Sequence, residues 1–338
     1  MSKKIALYGA FSANMLQALN SQCPAGFETY PVATGDLAAL AAADYMVNRG
    51  GVVDAQTLDA APRVKWIQKW GVGYDKIDIK VAGERGIPVG ICVGGNSLPV
   101  AELTVTLMLN VLRNAIPLNE KMKAGEWSRE QYAARSYLLH GKTVGLVGIG
   151  NIARKVAAIV RNGFEVQVLY YDLFRLSAEQ EKTLGVTYVE LDTLMAQSDI
   201  ISIHVPLLES TKGMVNKEKL ALMKPTACII NTSRGGVINE PDLIEALRAN
   251  RILGAGLDTF AQEPLPKNSE LLKLDCVVAT PHCGGNTVDN DINMAAICMD
   301  CIARYDASGN CEMREIVNSE FLINPITESR KSNDQYRQ

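Results

Sequence analysis

His282 has the setting best suited to proton transfer among the three histidines of the chain. It follows Thr280-Pro281 and precedes Cys283-Gly284-Gly285, in a loop after an apolar run that predicts a strand. Ligands of open α/β sheets bind at the carboxyl ends of strands, which is where this loop would lie. His140 is expected at the surface or in a hinge. His204 ends another predicted strand, where a packing role is as reasonable as a chemical one.

Two further strand ends carry isolated charges. The apolar run that begins at Ile229 leads to Arg234, which stands alone before two glycines. Another run leads to Asp258, and Glu263 follows it directly before a proline. Together with His282, these residues form a candidate catalytic set.

A glycine-rich turn predicts a dinucleotide site. The apolar strand 143–147 runs into Gly148, Gly150 and Ala153, in the pattern GxGxxA, and then into a helix. Gly148 permits a tight turn, Gly150 lets the backbone approach a pyrophosphate, and Ala153 allows close packing of helix on strand. The amino terminus of the helix favours the anion.

The acid expected for such a site follows the next strand. The run 166–171 ends in Asp172, about 20 residues beyond the turn, where a carboxylate binds the adenosine ribose hydroxyls. Because a carboxylate repels a 2′-phosphate, NAD is favoured over NADP. Arg175 lies close enough along the chain to leave tolerance of NADP open.

Strands and helices alternate along the whole chain, which predicts parallel sheets and an α/β fold. A periodic stretch from Ser97, a plausible N-cap, to about Lys123 predicts one long helix, with a turn after it. A last helix is expected over 288–305, followed by a polar, frayed end at Glu328–Gln338. Candidate buried residues of the long helix are Leu103, Leu107, Leu109 and Leu112, and the strands expected before it are Ile5–Tyr8, Tyr45–Val47, Val64–Gln68 and Val89–Ile91.

Composition narrows the possible partners and compartment. The 338 residues are 47% hydrophobic and carry a formal net charge of −3, so the chain lacks the basic field of a nucleic-acid binder. No apolar run reaches the length of a membrane span, and the start lacks a signal peptide, so we expect a soluble cytoplasmic protein. The eight cysteines are expected as free, mostly buried thiols. A lone Cys298-x-x-Cys301 has no second ligand pair, so no metal is expected.

The three catalytic segments, in this order and with the glycine turn, resemble the D-isomer-specific 2-hydroxyacid dehydrogenases. The resemblance covers residues 60–287 well and the first 50 poorly, and it includes Ile203-His204-Val205-Pro206-Leu207 and Met223-Lys224-Pro225. It implies two Rossmann-like or flavodoxin-like parallel-sheet domains. The NAD domain, 99–287, would be inserted into a discontinuous substrate domain, 1–98 and 288–338.

The resemblance also implies roles for the catalytic set. His282 would exchange a proton with the C2 oxygen of the substrate, and Glu263 would stabilise the imidazolium. Arg234 would hold the substrate carboxylate or carbonyl oxygen with its planar fork and stabilise negative charge on that oxygen. Asp258 would accept a hydrogen bond from the nicotinamide carboxamide.

The positions that match cofactor contacts of the family surround these residues. They are Gly148, Gly150, Asn151, Ile152, Asp172, Val205, Pro206, Thr232, Ser233, Arg234, Asp258, His282, Gly284 and Gly285. For the substrate, the loop with Val72 and Gly73 resembles the backbone site that binds the carboxylate. A homodimer is also implied, with the long helix and the arm around Trp127 at the interface.

The substrate within the family is left open by the sequence. Gly95-Asn96-Ser97-Leu98 and Gly125-Glu126-Trp127 resemble the phosphoglycerate dehydrogenase branch, which favours 3-phosphoglycerate, with Lys69 and Arg49 as candidate phosphate ligands. Hydroxypyruvate, glyoxylate or another small 2-oxo acid is the alternative, because the segment 132–140 departs from that branch. An NAD-sensing scaffold that keeps the catalytic set is the alternative of another class.

Overall fold

The computed structural model describes residues 2–309 and 312–323. Cys311 and the polar end at Glu328–Gln338 lie outside the described residues. The described chain divides into two compact units: residues 2–96 with those from 286 onward form unit 1, and residues 97–285 form unit 2. In sequence, unit 2 is therefore an insertion into unit 1.

The elements alternate as expected for an α/β protein. Up to residue 96 they are β1 (Lys3–Gly9), α1 (Ala13–Ser21), β2 (Phe27–Val32), β3 (Tyr45–Arg49), α2 (Ala55–Asp59), β4 (Ile67–Lys69), α3 (Ile79–Glu84) and β5 (Val89–Gly90). Unit 2 contains α4 (Ser97–Arg113), α5 (Ala115–Lys123), α6 (Arg129–Ala133), β6 (Thr143–Val147), α7 (Asn151–Phe164), β7 (Gln167–Tyr171), α8 (Ala178–Leu184), β8 (Val186–Tyr188), α9 (Leu191–Gln197), β9 (Ile200–Ile203), α10 (Lys217–Leu222), β10 (Cys228–Asn231), α11 (Glu240–Arg248), β11 (Gly254–Leu257) and β12 (Val277–Ala279). The chain returns to unit 1 with α12 (Val288–Ser308), and short 3-10 helices cover Ala38–Ala42, Gly235–Val237, Glu270–Lys273, Met313–Glu315 and Ser319–Phe321.

Both sheets are parallel throughout. The sheet of unit 1 has the order β2-β1-β3-β4-β5, and that of unit 2 has the order β12-β11-β10-β9-β6-β7-β8. These two sheets with helices confirm the predicted α/β class with flavodoxin-like and Rossmann-like units. No helix among residues 2–309 and 312–323 is both long and apolar enough to cross a membrane.

Interior strands of both sheets, such as β1 and β6, are buried on both faces, as parallel strands between helices must be. In β1, Ile5 and Leu7 pack with residues of α12, whereas Ala6 and Tyr8 pack in a second cluster on the other face. In unit 2, Leu146 of β6 packs on the face that holds α4 and α7, and Val147 packs on the opposite face. This alternation specifies the register of the strands, because a shift by one residue would move each side chain to the opposite face.

The single long helix predicted from Ser97 to Lys123 is wrong. The helix breaks at Asn114, which has a left-handed φ of 51°, so α4 ends at Arg113 and α5 begins at Ala115. Asn114 is buried, and its side-chain amide donates to the Arg135 carbonyl and to Ser136 Oγ, both at 3.1 Å. Asparagine tolerates this backbone conformation better than most residues, and burial of its amide is compensated by these hydrogen bonds.

Other differences from the predicted elements are small. Of the leucines expected to be buried in α4, Leu107 and Leu112 are buried, while Leu103 and Leu109 are only partly buried. The short helix α6 lies after the predicted turn with Gly125 and Trp127 and was not predicted. Within the described residues, Cys92, Cys228, Cys298 and Cys301 are buried, and Cys23, Cys276 and Cys283 are partly buried.

Candidate active site

The three predicted catalytic residues follow three neighbouring strands of unit 2. Arg234 lies after β10, Glu263 after β11 and His282 after β12, and these strands are adjacent in the sheet. Because the strands are parallel, their carboxyl ends share one edge, where ligands of this fold class bind. The structure thus places the loops of the predicted catalytic set side by side.

His282 and Glu263 form a direct pair. His282 Nδ1 lies 2.7 Å from Glu263 Oε2, and 47% and 36% of the two side chains are exposed. The other Glu263 oxygen accepts a hydrogen bond from the Phe260 N–H at 3.1 Å. Since Nδ1 faces the carboxylate, Nε2 is the nitrogen left for exchange of a proton with a ligand.

The backbone at His282 has an uncommon conformation. Its φ is 51°, in the left-handed region that non-glycine residues rarely adopt, and its N–H donates to the Thr280 carbonyl at 3.0 Å. Such strain persists only where the surroundings hold it in place.

Asp258 supplies that support. It is 1% exposed, and its carboxylate accepts hydrogen bonds from Thr280 Oγ1 at 2.6 Å and from the N–H groups of Cys283 and Gly284, both at 2.9 Å. Asp258 therefore fixes the loop on both sides of His282. The sequence did not indicate this task, nor the part of Thr280, because the contacts join two loops that are distant along the chain.

Glu263 remains a carboxylate over a wide pH range. Burial acts to raise its pKa, but the hydrogen bonds from His282 and the Phe260 N–H, with the positive charge of Arg234, outweigh burial and hold the pKa below its ordinary value. The partner of His282 is thus negatively charged at neutral pH.

The lowered pKa predicts how the stability of the protein changes with pH. A carboxyl whose pKa is lower in the folded state stabilises the fold above its unfolded pKa of about 4.3, and that contribution is lost as the pH falls through the folded value. We therefore expect urea unfolding to give wild type a larger free energy of unfolding than Glu263→Gln at pH 5.5. This difference in free energy should decrease as the pH is lowered towards 3. Glu209→Gln is the control, because it removes one carboxylate at an exposed position. A difference that stays constant or grows as the pH falls contradicts the assignment.

The loop of Arg234 is held by its neighbours. The Asn231 amide donates to the Arg234 carbonyl at 2.9 Å, and Asn231 Oδ1 accepts from the Ser233 N–H at 3.0 Å. Arg234 Nη1 donates to the Ser233 carbonyl at 2.8 Å. A Cβ added at Gly235 would lie 1.9 Å from the Phe260 backbone, so glycine is needed for the Arg234 loop to pass the loop of Glu263.

The glycine turn after β6 fits a dinucleotide. Gly148 has a φ of 96°, and a Cβ there would meet the His204 carbonyl oxygen at 2.8 Å. Gly150 is the N-cap of α7, no side-chain hydrogen bond from any described residue caps the helix there, and a Cβ added to Gly150 would meet no described atom within 4 Å. The turn therefore leaves room beside the start of α7, where the first N–H groups of a helix can bind a pyrophosphate. Ala153 is fully buried, in keeping with close packing of helix on strand.

Asp172 lies beside this turn. Its Oδ2 accepts from the Ile149 N–H at 2.9 Å and its Oδ1 from the Phe174 N–H at 3.0 Å. The carboxylate is fixed next to the turn, where it can accept hydrogen bonds from ribose hydroxyls.

The other predicted cofactor residues follow strands of the same sheet, either in loops or at the start of α7. The Thr232 hydroxyl is buried and lies 2.9 Å from Thr104 Oγ1 of α4, and the Pro206 carbonyl accepts from Thr211 Oγ1 at 2.6 Å. Positions after β6, β9 and β12 complete the set, namely Asn151, Ile152, Val205, Gly284 and Gly285.

The two remaining histidines differ sharply from His282. His140 is exposed before β6. Burial lowers the pKa of His204 to about 3, and one of its ring nitrogens, Nε2, lies 2.9 Å from Ser202 Oγ. His204 is therefore neutral at physiological pH, and its environment is that of a packed residue.

Apart from Arg234, the predicted substrate residues lie in unit 1. Arg49 ends β3, Lys69 ends β4, and Val72 and Gly73 are in the loop after β4. Arg49 Nη1 donates to the Ala10 carbonyl, and Lys69 Nζ donates to the Trp70 carbonyl at 2.9 Å. Their roles towards a substrate stay predictions.

Comparison with known proteins identifies the family. The family model described as D-isomer specific 2-hydroxyacid dehydrogenase, NAD binding domain, matches residues 105–284. The chain belongs to this family. It is an oxidoreductase that uses NAD.

Relatives within the family carry different substrate names. The chain is 41% identical over 247 residues to a glyoxylate reductase of Thermofilum pendens, which covers 72% of this chain and 73% of that protein. It is 38% identical over 245 residues to a D-3-phosphoglycerate dehydrogenase of Archaeoglobus fulgidus, covering 72% of this chain but only 46% of that longer protein. Among solved structures, an NADPH-dependent glyoxylate/hydroxypyruvate reductase of Sinorhizobium meliloti superposes with a TM-score of 0.80 at 28% identity, covering 93% and 97% of the two chains.

Proposed function

We propose that this dehydrogenase reduces a small unphosphorylated 2-oxo acid, glyoxylate or hydroxypyruvate, with His282, Glu263 and Arg234 as its catalytic residues. The observation that carries the proposal is the His282–Glu263 pair at 2.7 Å, with Arg234 near enough for its charge to act on Glu263. An acid, its carboxylate partner and a guanidinium are the groups that reduction of a 2-oxo acid needs.

Each residue of the set has a separate task in the proposed reaction. NADH, when bound, supplies the hydride to C2 of the substrate. His282 donates a proton from Nε2 to the C2 oxygen, and the Glu263 carboxylate at Nδ1 stabilises the protonated ring before transfer. Arg234 binds the carboxylate or carbonyl oxygen of the substrate and stabilises the negative charge that develops on oxygen. In the reverse reaction His282 accepts the proton of the hydroxy acid.

Arg49 and Lys69, the two cations predicted to bind a substrate phosphate, already have other partners, which favours an unphosphorylated substrate. Arg49 donates a hydrogen bond to the Ala10 carbonyl and interacts electrostatically with Asp291, a buried residue of α12. Lys69 is bonded to the Trp70 carbonyl. A substrate phosphate would have to displace these partners, and two relatives above are named for glyoxylate reduction.

3-Phosphoglycerate is the second candidate. It is supported by the 38% identity with the phosphoglycerate dehydrogenase of Archaeoglobus fulgidus and by Arg49 and Lys69 at neighbouring strand ends of unit 1.

Rates of NADH oxidation with glyoxylate, hydroxypyruvate, pyruvate and phosphohydroxypyruvate distinguish the two candidates. We expect kcat/KM for glyoxylate or hydroxypyruvate to exceed that for phosphohydroxypyruvate by at least about tenfold, a difference of about 1.4 kcal/mol. A preference for phosphohydroxypyruvate that Arg49→Ala abolishes would replace our proposal with the second candidate.

We further propose a cytoplasmic homodimer, as the family resemblance implies. Trp127, Leu138 and Met122 are 79%, 63% and 55% exposed and line one groove of unit 2. Exposed apolar side chains gathered in one place are typical of an association surface. Light scattering that gives the mass of one chain at micromolar concentration would contradict the dimer.

A further inference from the structure

Arg175 is the only cation in the loop 172–177, which joins Asp172 to α8. NADP differs from NAD by a phosphate on the adenosine ribose, and a guanidinium is the side chain that recognises such a group best. Arg175 therefore lies at a position in the sequence from which its guanidinium could bind the 2′-phosphate of NADPH.

The structure shows Arg175 engaged elsewhere. Its Nε lies 2.9 Å from Glu181 Oε1 and its Nη2 lies 3.3 Å from Glu181 Oε2, so Glu181 occupies two donors of the planar fork. The guanidinium carbon also lies 4.9 Å from the centre of the Tyr188 ring, which covers one face of the group. A phosphate could gain Arg175 only by displacing these partners.

Glu181 is itself held in place. Its side chain is 15% exposed, and Oε1 also accepts from the Tyr170 hydroxyl at 2.8 Å. The same hydroxyl accepts from the Leu176 N–H at 3.0 Å, which joins Glu181 to the loop that carries Arg175. Tyr170 packs edge-on against Tyr188, with ring centres 5.5 Å apart. Hydrogen bonds from Arg175 and Tyr170 lower the pKa of Glu181, so the ion pair is charged at neutral pH.

We propose that Glu181 determines cofactor specificity by withholding Arg175 from a 2′-phosphate. Asp172 repels the phosphate, and Glu181 removes the one loop cation that could offset this repulsion. Glu181 acts through Arg175 and is a positioning residue. The inference rests on the proposed placement of the adenosine ribose at Asp172.

The experiment is a set of calorimetric titrations of NADH and NADPH, at low ionic strength and without substrate. Glu181→Gln keeps the shape of the side chain but removes its charge. We expect it to tighten NADPH binding by about tenfold, the effect of one charge-assisted hydrogen bond. The Kd for NADH should change by less than about twofold, since NADH has no 2′-phosphate to contact. Adding Arg175→Ala to Glu181→Gln should abolish the gain.

Glu179→Gln is the matched control, because it removes the same charge from an exposed position of α8. A gain equal to that of Glu181→Gln would indicate a general charge effect and overturn the proposal. So would an unchanged Kd for NADPH in Glu181→Gln, or a gain that survives Arg175→Ala.

Arg175→Ala alone keeps the test decisive if Glu181→Gln fails to fold. The proposal expects this variant to bind both cofactors like wild type, because Arg175 is already withheld. Weaker binding of NADPH, alone or together with NADH, would show that Arg175 already contacts the cofactor and would overturn the proposal.

Asp172→Asn tests the placement of the adenosine ribose separately. We expect this variant to bind NADH more weakly than wild type does. An unchanged Kd for NADH would contradict that placement and the inference that rests on it.

Discussion

Replacing His282 by alanine is expected to lower kcat for reduction of the 2-oxo acid by about 10²–10⁴-fold, the usual effect of losing a positioned general acid. The reason is that His282, paired with Glu263 at 2.7 Å, is the proposed source of the proton for the C2 oxygen. The Kd for NADH should remain within a few-fold of wild type, because the glycine turn and Asp172 are untouched. Stopped-flow and steady-state measurements of NADH oxidation give kcat, and calorimetry gives the Kd.

His282→Asn separates loss of the imidazole from strain in the loop. Asparagine tolerates the left-handed φ of 51° better than alanine does, so it should keep the loop but lack the acid. His140→Ala, at the exposed histidine, should behave like wild type. Turnover near the wild-type rate in both His282 variants would remove this residue from its proposed role.

Arg234→Lys is expected to lower kcat/KM for the 2-oxo acid by about ten- to hundredfold, mainly through a higher KM. An ammonium keeps the positive charge but cannot form the two parallel hydrogen bonds of a guanidinium, and a hydrogen bond to a charged group contributes about 1.5–3 kcal/mol. Initial rates as a function of substrate concentration measure both constants.

Arg248→Lys is the matched control for Arg234→Lys. Arg248 lies on α11 in a surface ion pair with Glu270, so its replacement should leave both constants unchanged. If Arg234→Lys also left KM and kcat unchanged, Arg234 would have no part in binding the substrate.

Local patterns were sufficient to predict the sheets and the glycine turn. β1 and β6 contain short apolar runs that end at a glycine, and such runs are typical of buried parallel strands. Glycine is needed at position 148 because φ is 96° and because a Cβ there would meet the His204 carbonyl oxygen, yet the spacing of the motif alone predicted the turn.

Features that depend on contacts between residues far apart in the sequence could not be predicted from it. The break at Asn114 is stabilised by hydrogen bonds to Arg135 and Ser136, which no helical periodicity reveals. Asp258 was predicted as a nicotinamide contact, but its three hydrogen bonds to the loop of His282 appear only once β11 and β12 are adjacent. The role towards nicotinamide stays a prediction.

The same limit applies to the cofactor preference. Arg175 could be read as a ligand for a phosphate, because its partner Glu181 lies on the next helix and the sequence does not show which way the guanidinium points. Ion pairs of this kind depend on side-chain geometry, which the fold must provide.

Transfer of a hydride from NADH to C2 of a 2-oxo acid is the central claim, and isotope labelling tests it most directly. Wild type would be incubated with glyoxylate and NADH that carries deuterium at both C4 positions, and the product would be followed by NMR. We predict that NADH oxidation matches glycolate formation one for one and that each glycolate carries one deuterium on C2. Product without deuterium, or no oxidation of NADH with glyoxylate or any other 2-oxo acid of the panel, would contradict it.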